Sequence, residues 1–134
     1  MPRKTRWDNV RQTAAELFAA SGYAAASLSK LARLARLSKP GIYYHVRDKE
    51  ELLFRICEST MAVLLQSAQL AAGSAGDPVA KLRQIIRAHA NHYWDHSWDL
   101  VILFGQRRYL SPPRQRRIIV LERVYLDLVR GIIR

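Results

Sequence analysis

Two short helical segments separated by a three-residue break constrain this chain more than any other feature of its sequence. Between Ser27 and Leu53 the order SLSKLARLARLSKPGIYYHVRDKEELL sets Leu28, Leu31, Ala32 and Ala35 at helical spacing behind Ser27, which is placed as an N-cap. Arg36-Leu37-Ser38 interrupts the pattern. Ser38 is a second N-cap, and Pro40 falls in the first turn of the next helix, where its missing N–H costs nothing. That helix is expected over 39–45 and carries Lys39, Gly41, Tyr43, Tyr44 and His45. Such a face is too polar for a core. It suits entry into a DNA major groove, with glycine permitting close approach and long polar side chains reaching bases and phosphates.

The rest of the chain reads as α-helical, about seven helices, with no strand signal. A first helix over 7–21 carries Val10, Ala14, Leu17 and Phe18 on one stripe and ends at Gly22. A fourth starts at Asp48, with Glu51 at capping-box spacing, and runs to about Ala71. Its Leu53, Cys57, Met61, Leu64 and Ala68 form one stripe while Leu52, Ile56 and Val63 lie elsewhere, as suits a connector touching two bodies. After the loop at 73–78, helices are expected over 79–95, 97–108 and 114–133. In the last, Ile118, Leu121, Tyr125, Leu128 and Ile132 have the 3-4-3-4 spacing of a helix packed on another, within or between chains. The fold class is therefore all-α: a three-helix helix-turn-helix head over 1–48, joined by a long helix to a helical domain over 49–134.

Charge narrows the partner. The formal net charge is +11 on 134 residues, which implies a polyanion. Residues 1–50 hold ten Lys/Arg against four Asp/Glu, and 51–134 hold twelve against seven, so DNA binding by the head explains only half the excess. Arg3, Lys4 and Arg6 form a basic arm that either tracks DNA or is a solubilising tail. Cys57 is alone, which rules out an intrachain disulfide, and it reads as a small core residue. No secretory h-region follows the N-terminus and no apolar run is long enough to span a bilayer, so no membrane partner and a cytoplasmic location are expected.

Residues 9–53 resemble the DNA-binding domain of TetR-type (tetracycline-repressor-like) transcriptional regulators. The resemblance is carried by Ala14-Ala15-Glu16-Leu17-Phe18, Gly22-Tyr23, Leu31-Ala32, Ala35, Leu37-Ser38-Lys39, Gly41-Ile42-Tyr43, His45 and Lys49-Glu50-Glu51-Leu52. It implies that Ser27, Ser38, Lys39, Gly41, Tyr43, Tyr44, His45 and Lys49 serve DNA binding, with Lys49 meeting a phosphate at the start of the connector helix. Ala26 stands where a phosphate-contacting Thr is common, Arg36 where the turn has Gly, and Val46 where a Phe packs beneath the motif. The resemblance further implies a symmetric dimer on a palindromic operator, and repression relieved when a small-molecule effector tilts the connector helix. Members of the family usually continue beyond this length, so the expectation is either an incomplete helical domain or dimerisation through another surface such as the Ile118–Ile132 seam.

Two clusters in the second half are left over. His89, His92 and His96, with Asp95 and Asp99, fall roughly along one helical face, as metal ligands or as polar pocket residues. Arg107, Arg108, Arg114, Arg116 and Arg117 flank Pro112-Pro113, as an anion site or a solvated basic turn. Taken with Tyr93, Trp94, Trp98, Phe104 and Tyr109, the arginines (Arg107, Arg108 and Arg117 foremost) suit an effector with an apolar tail and a phosphorylated head, such as an acyl-coenzyme A thioester. The second half of the chain is also loosely similar to lipid- or steroid-catabolism regulators of the TetR type. No nucleophile elbow, phosphate loop or zinc-hydrolase motif is present, so neither catalysis nor a cofactor is expected. The competing readings are a basic protein binding DNA without sequence preference and a small helical protein sequestering a longer relative.

Overall fold

The computed structural model describes residues 5–134. Within them the chain forms α1 (Arg6–Ser21), α2 (Leu28–Ala35), α3 (Lys39–Tyr43), α4 (Lys49–Ala72), α5 (Pro78–Asp95), α6 (Ser97–Gly105), a 3-10 turn (Arg107–Tyr109) and α7 (Pro112–Ile133), with no strand among the described residues. Side chains fix the starts of the first five helices. Thr5 and Asp8 exchange reciprocal hydrogen bonds of 3.0 and 3.1 Å, and Ser27, Ser38, Asp48 and Asp77 each accept the N–H three residues on.

Three boundaries differ from the sequence expectation. Helix α3 stops at Tyr43, not His45, and five residues on Asp48 is extended (φ −154°, ψ 175°) and caps α4. The chain leaves α3 through a tightened turn, with the His45 N–H donating to the Ile42 carbonyl at 2.9 Å. Helix α6 stops at Gly105, and the segment expected to continue it to Arg108 winds into the 3-10 turn. Helix α7 takes both prolines into its first turn, where neither loses a helical hydrogen bond.

Packing is organised around α4, which touches α1, α5, α6 and α7. One continuous core runs from Val10, Phe18, Leu31, Ile42 and Val46 through Leu52, Leu53, Ile56 and Met61 to Ile102, Leu103 and Ile118. A smaller cluster at the far end of α4 joins Ala68 and Ala71 to Ile85 and Ile132. The α7 seam is thus an intrachain one: Ile118 and Ile132 are buried, and Leu121, Tyr125 and Leu128 pack on these clusters. Ile119, Val120, Val124, Leu126 and Ile133 point outward instead. Cys57 is fully buried, and burial pushes its thiol up to about 12, which keeps it unreactive in the folded chain.

Arg36 decides the helix-turn-helix geometry in an unexpected way. It holds φ 58°, ψ 43°, the one non-glycine residue with positive φ among those described. Its N–H donates to Arg33 O at 3.2 Å and the Leu37 N–H to Ala32 O at 2.9 Å, the paired bonds of a Schellman end. A side chain in this region costs about 1–2 kcal/mol that glycine avoids. Arg36→Gly is therefore expected to stabilise the chain by about 1 kcal/mol in thermal or urea denaturation. An unchanged or lowered midpoint would show that the turn carries no such strain.

Candidate nucleic-acid interface

Helix α3 is held from beneath by Ile42, which is fully buried, while Lys39, Pro40, Tyr43 and Tyr44 face solvent. Tyr44 is 86% exposed, and a large aromatic so placed serves a partner or nothing. Gly41 has a local reason beyond groove approach. A Cβ there would sit 3.2 Å from Ser38 Oγ, the atom that caps the helix by accepting Gly41 N–H. Ser27 does the same work at α2 through Lys30 N–H. Lys30, Arg33 and Arg36 on α2 and its end, and Arg47 after α3, are also exposed. They extend the basic surface beyond the residues singled out from sequence, and their three-residue spacing on α2 was the available signal.

The C-terminal end of α3 is clamped by two residues the sequence did not single out. Arg55 on α4 donates to the His45 carbonyl at 2.8 Å, and its guanidinium lies 3.7 Å from the Trp7 ring centroid. The Trp7 and His45 rings are 5.9 Å apart, so His45 is half-buried and serves position as much as contact. Asn9 on α1 donates to Ala35 O at 3.1 Å and fixes α1 across the end of α2.

Lys49 departs from expectation. Its ammonium points inward, donating to the carbonyls of Tyr23, Ala24 and Ala26 at 2.9, 3.4 and 3.2 Å and lying 4.3 Å from the Tyr23 ring centroid. All three donors are engaged in closing the turn between α1 and α2. The α4 N-terminus is likewise occupied by the chain's own carboxylates: Asp48 caps it, and Glu51 accepts Arg47 N–H at 2.9 Å. Of the basic arm, Arg6 is exposed at the start of α1, while Arg3 and Lys4 lie outside the described residues.

The arginines of the second half do not converge on one anion site. Arg107 pairs with Glu122, Arg114 with Glu50, and Arg117 with Glu58 at 3.4 Å. Arg108 reaches Tyr109 Oη at 3.2 Å, and the Tyr109 ring packs on Tyr23. A cavity of about 240 Å³ does join Phe104, Arg107 and Arg108 to Ile118 and Ile119. A second, about 230 Å³ and mostly apolar, touches Phe104 together with Met61, Leu64 and Tyr125. Tyr93 and Trp94 are exposed near the end of α5 and line neither cavity, nor does Arg117.

The histidines also part company. His89 shares a 3.0 Å hydrogen bond with Tyr125 Oη, whereas His92 Nε2 lies 3.3 Å from Asp99 Oδ2 and its ring is 5.0 Å from that of His96. Among the described residues no group of three or more His, Cys, Asp or Glu is arranged to hold a metal ion. Burial lowers the pKa of both His89 and His92; for His92 the Asp99 carboxylate opposes that shift without overcoming it.

Comparison with known proteins agrees with this geometry. The family model for bacterial regulatory proteins of the tetR family matches residues 10–56, and a tetracyclin repressor-like C-terminal domain model matches 75–134. The HTH-type transcriptional regulator AcrR of Shigella flexneri is 30% identical over 95 residues, covering 64% of this chain and 43% of that protein. The transcriptional activator FasR of Mycolicibacterium smegmatis is 26% identical over 114 residues, covering 85% and 52%. The chain therefore spans about half the length, or less, of these curated relatives. Among solved structures, the TetR-family regulator PfmR from Thermus thermophilus superposes with a TM-score of 0.87 at 31% identity, covering 98% of this chain and 70% of that one. AibR in complex with isovaleryl coenzyme A and operator DNA gives 0.80 at 25% identity, covering 96% and 70%. No described helix is long and apolar enough to cross a membrane.

Lys49→Ala should lower stability by about 1–3 kcal/mol in urea denaturation, because it strands part-buried carbonyls, whereas Tyr44→Ala should leave it within about 0.5 kcal/mol. Equal midpoints for the two variants would refute the structural role of Lys49. The histidines give a pH dependence of definite sign. With folded pKa values below the ordinary 6.5, the unfolded chain takes up protons first, so stability should fall as pH drops below about 6.5. Replacing both by Gln should flatten denaturation midpoints measured between pH 7.5 and 5; an unchanged slope would exclude them as the cause.

Proposed function

The chain belongs to the TetR family of bacterial regulatory proteins, and from that membership we propose that it is a sequence-specific DNA-binding transcriptional regulator, a repressor that a small-molecule effector releases from a palindromic operator. The observation that carries this reading is the outward face of α3 and its C-cap, where Lys39, Tyr43 and Tyr44 stand exposed while Ile42 is the buried anchor beneath. In this reading Lys39 and Tyr44 enter the major groove, and Tyr43 and Ser27 approach phosphates. Ser38 and Gly41 shape the helix, and the His45 carbonyl takes the Arg55 clamp. Residues 1–48 act as the reading head and 49–134 as the regulatory helices. Two copies acting as a symmetric dimer would place two heads on successive grooves.

The effector reading is supported by the paired cavities on either side of Phe104, one apolar and one edged by arginine. The neighbour AibR was crystallised with isovaleryl coenzyme A, which makes an acyl thioester the first ligand to try. A ligand that prefers the released form by about 1.4 kcal/mol would weaken operator binding tenfold.

An operator selected from random duplexes should be bound on the order of 10³-fold more tightly than random sequence, with affinity falling steeply as salt rises. Lys39→Ala should cost about 1–3 kcal/mol on that operator, and Tyr44→Ala should also weaken it. Equal affinity for operator and random duplex, at two salt concentrations, would leave a sequence-neutral basic protein in place of a regulator. For the effector, an acyl-coenzyme A should raise the melting temperature and release DNA where the free acid plus coenzyme A does not. Failure of every thioester tried would remove that ligand class.

A further inference from the structure

Helix α1 reaches the second half of the chain through one polar side chain in particular. Arg11 forms a two-pronged pair with Asp99 of α6, Nη1 to Oδ1 at 3.2 Å and Nη2 to Oδ2 at 3.1 Å. The same guanidinium donates to Ser59 Oγ of α4 from Nε at 3.0 Å and from Nη2 at 2.7 Å, with Thr60 Oγ1 at 3.4 Å. His92 of α5 approaches the same carboxylate at 3.3 Å. Four helices therefore meet at one ion pair. Asp99 is 2% exposed, and it and Thr60 are the fully buried polar side chains of the described core.

Such a pair differs in kind from the apolar contacts around it. Leucine and isoleucine faces tolerate small slides, whereas a bidentate guanidinium–carboxylate pair has one good geometry. Phe104, which lines both cavities, lies on α6 only five residues beyond Asp99. Any molecule that moves α6 therefore moves the carboxylate, and α1 must follow or leave a buried charge unpaired. At its other side α1 is tied to the rest of the head by the Asn9–Ala35 bond and by Val10, Ala14 and Phe18 in the shared core.

We propose that Arg11 and Asp99, seconded by His92, are positioning residues for DNA binding: a joint through which α5 and α6 set the pose of the α2–α3 pair. The assignment rests on the DNA-binding reading above. It gives the buried charge a task in setting head angle, beyond holding the core together.

The test uses the full chain and the variants Arg11→Lys, Asp99→Asn, the two combined, and His92→Gln. Arg11→Lys keeps the charge but loses the fork, and Asp99→Asn keeps the shape. Each of these two is expected to lower affinity for the selected operator about tenfold at equal folded fraction, while affinity for random duplex stays within about twofold. The combined variant should cost no more than the worse single one, because both break the same joint. His92→Gln should act in the same direction and more weakly, and it carries the test with Arg11→Lys should Asp99→Asn fail to fold. Backbone amides of residues 27–45 should exchange faster with deuterium in each variant, a readout that needs no DNA. Folded variants with parental operator affinity and parental exchange over 27–45 would reduce the pair to a core fastening and overturn the proposal. So would equal losses on operator and random duplex. If the parent chain shows no operator preference, the DNA reading fails, and the exchange result alone decides the joint.

Discussion

Burial along α4 is the constraint on which everything else depends. Leu52, Leu53, Ile56, Cys57 and Thr60 have no exposed surface, and Met61, Leu64, Ala68 and Ala71 continue the stripe to the far end of the helix. Its first turns complete the core beneath α1 to α3, and the same helix forms the floor on which α5, α6 and α7 lie. Buried apolar surface is non-directional, so it fixes that these elements meet without fixing at what angle. The angle is set by polar contacts placed at intervals along the helix: Lys49 on the α1–α2 turn, Arg55 on the end of α3, and Ser59 and Thr60 on Arg11. Each lies on the side of α4 that meets the head.

A chain this basic holds together by using its few carboxylates at junctions. Glu50, Glu58, Asp99 and Glu122 each bind an arginine from a distant part of the sequence, while Asp48 and Asp77 cap helices. Positive charge that has no such partner stands on the outer faces, with Lys30, Arg33, Arg36, Lys39 and Arg47 all on the head. The arrangement makes net charge serve two purposes. Negative groups define internal geometry, and the surplus of positive ones gives the head a field that draws a polyanion.

Which parts were legible in the sequence follows from how local their causes are. The caps at Ser27, Ser38 and Asp48 act over three residues, and the helices they start lie where spacing put them. The outward face of α3 followed from its polar composition. The true end of α3 was not readable to the residue, because its last turn tightens, the His45 and Val46 N–H groups both turning to the Ile42 carbonyl. The partners of Lys49 and of the arginines of the second half were unreadable for a different reason. These partners, Tyr23, Glu50, Glu58 and Glu122, are chosen by the folded packing, and in the pairs Arg114–Glu50 and Arg117–Glu58 they lie 64 and 59 residues away. The pairing of Arg11 with Asp99, 88 residues apart, left no pattern, although the sequence did set Asp99 on one face with His92, which meets it. Cationic side chains in a list look alike; only coordinates separate those that face outward from those already bound.

The outer surface of α7 carries a practical corollary. Ile119, Val120, Val124, Leu126 and Ile133 lie open beside Arg116, Arg123 and Arg134, with Arg130 paired to Asp127 at 3.6 Å, so greasy and mostly cationic groups alternate along one rod. Like charge opposes the approach of two such rods in dilute buffer, where fields extend about 10 Å at 0.1 M ionic strength and about 3 Å at 1 M. Brine strong enough to strip nucleic acid from the protein during purification also removes that colloidal protection. Clumping in a concentrated saline eluate would then be a property of this rod's surface, and dilution should reverse it before the fold is ever at risk.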